Sequence, residues 1–582
     1  MKGNIFAILA VLLLLTACGN KATLTTQLSG DTLVVNIKNP QGYLMLPIEY
    51  GAPACEVAME ADGASTAIGN VSVAQNKIDD YVPVPLNTDG NAARLLVLHV
   101  PAKACFADSV SAVETLTPDL FTRKMPAYHY ALPYGKMDVP AAALLDGTKY
   151  HLYFEFNPYG IDAANICWGH VASETLTSWE TLPVAIGGDS IGEALGGSCV
   201  LDKYSSFGAG MNAMVCLYTA TRGEGPDRRQ EQCIAYARNA DSPLQKFATN
   251  PVLRTYDDIP DFRHPSVVRF KRENMWDVVI ACGDHLRIYS SDDLANWNLE
   301  SRLGQGWFGN EAVYESGRLV EGTAPDGKPT WFLICNVKPK GNASAEQCIA
   351  TFWGSFDGKT FRPETEQPAL LDAGQTYFGA LPFENVSGRV LLAGLLSNEA
   401  ATNSNKTLSV MALPRELSLV QAAGETRFCL KPAQEAEALR KEENKQADVT
   451  VEGEKDFGQM LETCGGACEL CLSMQGENAR GLLLYNNKGE AVRLTFRPDG
   501  PADLLQVNCE GSDGSSVARL PKSDTHSLRI FIDRNWLEIF ADDGLAAVSQ
   551  VLSLNEPLAG VKMFSENGTA KAADFRFYTI AQ

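Results

Sequence analysis

Three short stretches of this chain hold side chains able to move a proton or attack a polarised bond. Lys136-Met137-Asp138-Val139-Pro140-Ala141-Ala142 offers a carboxylate at Asp138. Phe262-Arg263-His264-Pro265 offers a guanidinium beside an imidazole. Gly306-Trp307-Phe308-Gly309-Asn310-Glu311 ends on a second carboxylate, Glu311. Two carboxyl groups in one cleft can divide general acid from general base work, and a histidine changes charge near neutral pH. Glu155 and Trp168 lie in strongly apolar runs nearby, where a carboxylate and an indole can grip a polar ligand. Cys464, Cys468 and Cys471 form C-x-x-x-C-x-x-C, a spacing used for iron–sulfur ligation. Here Leu470-Cys471-Leu472-Ser473-Met474 alternates like a strand, so neither a metal nor another cofactor is expected.

The elements that must position these residues are short strands. Tyr150–Phe156, Trp276–Cys282 and Trp331–Cys335 are brief apolar runs closed by Gly, Asn or Asp, and helical periodicity is nearly absent. Trp168–Trp179 and Leu286–Trp297 share a pattern of strand, Ser, Leu and Trp, the echo expected of repeated propeller blades. The reading is an all-β chain with a small N-terminal β-sandwich (28–120), a propeller (121–425), a helical linker (426–447) and a C-terminal β-sandwich (448–582). The linker expectation rests on Pro432 followed by Ala, Glu, Leu and Lys, which are good helix formers. Asp542-Asp543-Gly544 reads as a hairpin turn.

The stretch Tyr128 to Glu180 closely resembles the first propeller blade of glycoside hydrolase family 32, the invertases, levanases and inulinases. The resemblance extends through Gly196–Asp202, Leu371–Ala380 and Leu413–Leu419, and strongly through His526–Gly544. Gly42–Pro53 is similar to the N-terminal sandwich of some family 32 enzymes of gut Bacteroidetes. This resemblance implies five blades and the C-terminal sandwich. It also implies a retaining glycosidase site, in which two carboxyl groups stand ~5–5.5 Å apart.

Carried over residue by residue, the family's nucleophilic Asp falls on Val139, which has no lone pair to attack with. The Asp of its Arg-Asp-Pro motif, which grips fructose hydroxyls, falls on His264 beside the retained Arg263. The acid/base falls on Gly309, or on Glu311 after a two-residue slip. Asp138 is expected to face away from the pocket, because neighbours on a strand point to opposite sides unless a bulge intervenes. Glu155, Trp168, Ser198, Arg263, His264 and Tyr377 remain the expected sugar-binding set, with Trp168 equally suited to the core.

Lys2, the apolar run Ile5–Leu15 and Leu15-Thr16-Ala17-Cys18 match a bacterial lipoprotein signal, with Cys18 lipidated (1–18). That places the protein in the envelope of a Gram-negative bacterium, anchored in the outer membrane, with the periplasmic face favoured because no acidic run follows Cys18. The chain has 582 residues and a net charge of −21, which argues against nucleic acid or anionic lipid as partner and suits a neutral glycan. Cys199, Cys216, Cys282, Cys335 and Cys348 read as small buried hydrophobes. The expectation is an exported lipoprotein that binds fructan or a related glycan without cleaving it, in keeping with a glycan-uptake complex. The alternative is an active glycoside hydrolase with an altered catalytic constellation.

Overall fold

The computed structural model describes residues 22–580 apart from 87, 89, 91, 102–103, 255–258, 260, 271–274, 310–311, 340–347, 398–408, 511–514 and 555. Cys18 and Glu311 therefore lie outside the described residues. The chain divides after Thr122 into two compact units. The first is a sandwich of a five-stranded and a three-stranded sheet. Alternation drives it: in Thr32–Lys38, Leu33, Val35 and Ile37 point into the core while their neighbours are half-buried.

The second unit begins with five consecutive antiparallel sheets, the blades of a propeller. The inner strand of each is Lys136–Asp146, Glu193–Asp202, Arg263–Phe270, Ala312–Thr323 and Tyr377–Pro382. Strands further out, such as Cys167–Ser173, are buried on both faces and accordingly read as continuous apolar runs. The ring closes between the last and first blades through Leu145 N–H donating to Glu384 O (3.0 Å) and Glu384 N–H to Ala143 O (2.8 Å).

Every inner strand is irregular near its N-terminal end. The ladder slips at Asp138-Val139 and again at Ala141 in the first blade, at Gly196 in the second and at His264-Pro265 in the third. It slips at Glu315 in the fourth and at Gly379-Ala380 in the fifth. Proline and glycine sit where a ladder N–H or a Cβ is not wanted. The result is a ring of five β-bulges at one end of the propeller axis. A bulge puts an extra residue opposite one partner and re-aims its side chain.

The C-terminal sandwich follows. Trp536–Ala541 and Ala546–Val551 form the hairpin that Asp542-Asp543-Gly544 predicts, with all three turn residues at positive φ. The expected helical linker is corrected. Only Gln434–Leu439 is helical, as a short 3₁₀ segment, and Arg440–Lys445 is a strand paired with Gly560–Ile580. Edge pairing on that long strand overrides local helix propensity. A second correction concerns Cys199 and Cys216. They face each other across adjacent strands and form a disulfide.

A buried ion cluster joins the propeller to this sandwich. His129 Nδ1 lies 3.0 Å from Asp533 Oδ2 and Nε2 2.8 Å from Glu538 Oε1. Arg415 reaches Glu538 Oε2 at 2.5 Å and Asp372 Oδ2 at 2.7 Å. All five side chains are almost inaccessible to solvent. Among the described residues no helix is long and apolar enough to cross a membrane.

Candidate active site

The ring of bulges turns polar side chains toward the propeller axis. In the first blade Phe154 pairs with Pro140 and Phe156 with Met137, so Asp138 and Val139 together stand opposite Glu155. This corrects the expectation that Asp138 faces away. Val139 instead packs on the fifth blade, where a Cβ added to Gly379 would fall 2.9 Å from Val139 Cγ1. The side chain of Asp138 keeps 37% of its surface open and lies 3.6 Å from Lys136 Nζ. Crowding by the cup walls raises its carboxyl above the usual range, and the nearby Glu155 adds to that rise. Lys136 and the Val139 N–H pull the other way without cancelling it.

Glu155 is anchored on the floor of the cup. Its Oε1 accepts from Gly196 N–H at 2.6 Å and lies 2.9 Å from His264 Nε2. Gly196 leaves little room there, since a Cβ would lie 3.1 Å from both Glu155 Oε1 and His264 Cδ2 and would push on both side chains. The other ring nitrogen, Nδ1, is 2.6 Å from the carbonyl oxygen of Glu315 and must donate to it. His264 occupies the left-handed region at φ 53°, with its own N–H donating to Thr219 Oγ1 at 2.9 Å. A non-glycine residue held in that region is a strained conformation fixed by its surroundings.

Glu315 is the member of the site that sequence reasoning missed. Its carboxylate meets Arg263 Nη2 at 3.1 Å and also contacts Lys338. Burial opposes its ionisation, but Arg263 and Lys338 outweigh burial and hold the carboxyl below the usual range. No local signal marked it, because the slip that frees Glu315 lies between Tyr314 and Ser316 and neither proline nor glycine stands there. Arg318 lies just below, donating to Gly197 O at 2.6 Å.

Asp138, Glu155, Arg263 and His264 thus converge at one end of the channel. Three expected sugar contacts are corrected. Trp168 is fully buried and donates through Nε1 to Leu195 O at 2.8 Å. Ser198 Oγ accepts from Val267 N–H at 2.8 Å and ties two inner strands together. Tyr377 is buried under the Arg415 guanidinium, 3.7 Å from its ring centre. Each carries an apolar or hydroxyl group that the propeller wall consumes. Among the described residues no group of three or more His, Cys, Asp or Glu is placed to hold a metal ion. What the cup offers is carboxyl, imidazole and guanidinium chemistry.

Known proteins show the same architecture. The solved exo-inulinase from Aspergillus awamori superposes with a TM-score of 0.69 at 23% identity, covering 80% of this chain and all (100%) of that one. Fructan 1-exohydrolase IIa from Cichorium intybus, in complex with 1-kestose, gives 0.67 at 17% identity, covering 79% and 98%. In sequence, the levanase of Bacillus subtilis is 29% identical over 492 residues, 78% of this chain and 70% of its own length. The levanbiose-producing levanase of the same organism is 27% identical, over 76% and 88%. Residues 29–116 match a domain of unknown function. Residues 129–432 match the glycosyl hydrolases family 32 N-terminal domain and residues 435–579 the family 32 C-terminal domain, so the chain belongs to glycoside hydrolase family 32.

Proposed function

We propose that the protein is a glycoside hydrolase for fructan-type or related glycans, working with a constellation of its own. One observation carries this reading. The first-blade bulge brings Asp138 to the side of Glu155, giving the cup two carboxyl groups with different surroundings. Asp138, whose carboxyl burial raises above the usual range, acts as the general acid, giving its proton to the glycosidic oxygen as the C–O bond breaks. Glu155, held by Gly196 N–H and facing His264, acts as the base and takes the proton of the attacking water. Arg263 and His264 grip sugar hydroxyls. The relatives named as levanases, an inulinase and a fructan exohydrolase support the substrate class.

The second reading is a glycan-binding homologue that does not cleave. It is favoured by Val139, an aliphatic residue where the family resemblance puts the attacking carboxylate. Incubation of the mature protein with levan, inulin, 1-kestose and sucrose separates the two. Release of fructose or short fructans at about one per second or faster, the low end of enzyme turnover, is the expected result. Saturable binding without turnover would replace this reading with the binding one.

We also propose anchorage in the cell envelope through lipid on Cys18. Several acyl chains on one residue give stable attachment, at ~0.8 kcal/mol per buried CH₂. Cys18→Ser should move the protein from the membrane fraction to the soluble fraction. Persistence in the membrane fraction would overturn the proposal.

A further inference from the structure

The inner strands run from the ring of bulges to the opposite end of the propeller, and a second concavity opens there. It holds about 640 Å³, within the ~300–1,000 Å³ typical of small-ligand sites. Its walls come from the C-terminal ends of the second, third and fourth inner strands and from the segment following the fifth. It is therefore separate from the cup that holds Asp138 and Glu155.

Three features of its lining point to one ligand chemistry. The first is an aromatic surface. Tyr204 is 66% exposed, unusual for a large ring, yet it is not loose. The Arg269 guanidinium stacks 4.4 Å from the Tyr204 ring centre and 4.6 Å from that of Trp276, so one cation clamps two rings. Trp331 lines the same concavity. The second feature is how firmly that surface is held: Trp276 is buried, so the Arg269 guanidinium ties the exposed Tyr204 ring to a fixed one. The third is the mixture of polar groups. Lys203, Arg269 and Arg389 share the lining with Glu321, Glu384 and Glu416. A neutral polyhydroxyl ligand can use both cations and carboxyl groups as hydrogen-bond partners. The floor agrees with this. Burial raises the Glu384 carboxyl to about 8 against the pull of Arg318, so at neutral pH it is largely a hydrogen-bond donor.

We propose that this concavity is a second carbohydrate site, binding a neutral oligosaccharide on the face of the propeller opposite the catalytic cup. Aromatic rings take the C–H face of a pyranose or furanose ring, and the alternating charges take its hydroxyls. The proposal stands whether or not the cup cleaves glycan, because it uses none of the cup's residues.

Affinity electrophoresis in gels containing levan, inulin or arabinan tests it, using the full mature chain carrying Asp138→Asn and Glu155→Gln. Those two changes stop cleavage of the polysaccharide in the gel, and a further Arg263→Ala change separates retardation by the cup from retardation arising elsewhere. The expected result is retardation by at least one polysaccharide. Adding Tyr204→Ala should weaken that retardation about tenfold or more, with Glu321→Gln as a milder second variant. Both residues are surface groups, and unchanged thermal melting shows that the fold is intact. Retardation unaffected by both variants would overturn the proposal, as would no retardation in any of the three gels.

Discussion

Asp138→Asn should abolish glycan turnover while leaving the fold intact. Removing one member of a catalytic set that acts as a unit typically costs on the order of 10⁴ in rate. The amide matches the carboxyl in shape and can still accept the Val139 N–H, a bond of 2.9 Å in the wild type. The effect should therefore fall on kcat rather than on stability. The pH profile supplies a sign. Asp138 acts while protonated and its carboxyl lies above the usual range, so activity should fall as pH rises through that raised value. An unchanged kcat in Asp138→Asn would remove Asp138 from the mechanism. Glu155→Gln is the companion variant, and it should lose turnover to a similar extent, because an amide cannot take the proton of the attacking water.

The second large effect is expected far from the cup, in the ion cluster between propeller and sandwich. Arg415→Met would leave Asp372 buried without its cation and Glu538 with His129 alone, and breaking a buried pair in this way typically costs about 3–5 kcal/mol. The cluster also sets a pH window. Burial alone would lower the His129 imidazole, but Asp533 and Glu538 raise it to about 9. Its stabilisation is therefore complete below the unfolded value of about 6.5 and is lost as pH rises through about 9. Glu538 behaves oppositely. Arg415 and His129 overcome its burial and lower it to about 2. Its contribution is complete above the ordinary carboxyl value and is lost as pH falls toward about 2. Thermal unfolding should show greatest stability between roughly pH 4.5 and 6.5, with a decline toward pH 9 that flattens in His129→Gln. An equally steep alkaline decline in that variant would assign the pH dependence to other groups.

The propeller and the C-terminal sandwich were legible because each strand carries its own pattern. Period-2 alternation, continuous apolar runs and turn residues are local signals, and they survive without knowledge of the neighbours. The helix expected over 431–446 failed for the converse reason. Its propensities are local, but its conformation is set by a strand more than a hundred residues later. The cup was harder still. Strict alternation excluded Asp138, and only the two-against-one pairing opposite Glu155 reverses that exclusion. Pro140, Pro265 and Gly379 were visible hints of irregular ladders. Trp168, left open between pocket and core by the sequence, falls to the core. Its motif matched well, but a fully buried indole serves the core whatever motif surrounds it.

The ring of bulges separates two kinds of constraint on this sequence. Ladder positions answer to backbone pairing and to the close-packed interior, so a change there disturbs the whole blade. Bulged positions answer to neither in full, because the extra residue is surplus to the ladder. Gly379 is the exception, since its positive φ and the Val139 side chain leave no place for a Cβ, and Gly196 is crowded by Glu155 and His264. Asp138, Val139 and Glu315 have no such barrier imposed by the ladder itself. Catalytic chemistry can therefore be rewritten at those places, one residue at a time, on a scaffold that continues to fold. A family built this way can drift in mechanism faster than in shape, and likeness of architecture is then a weak guide to which carboxyl group does the work.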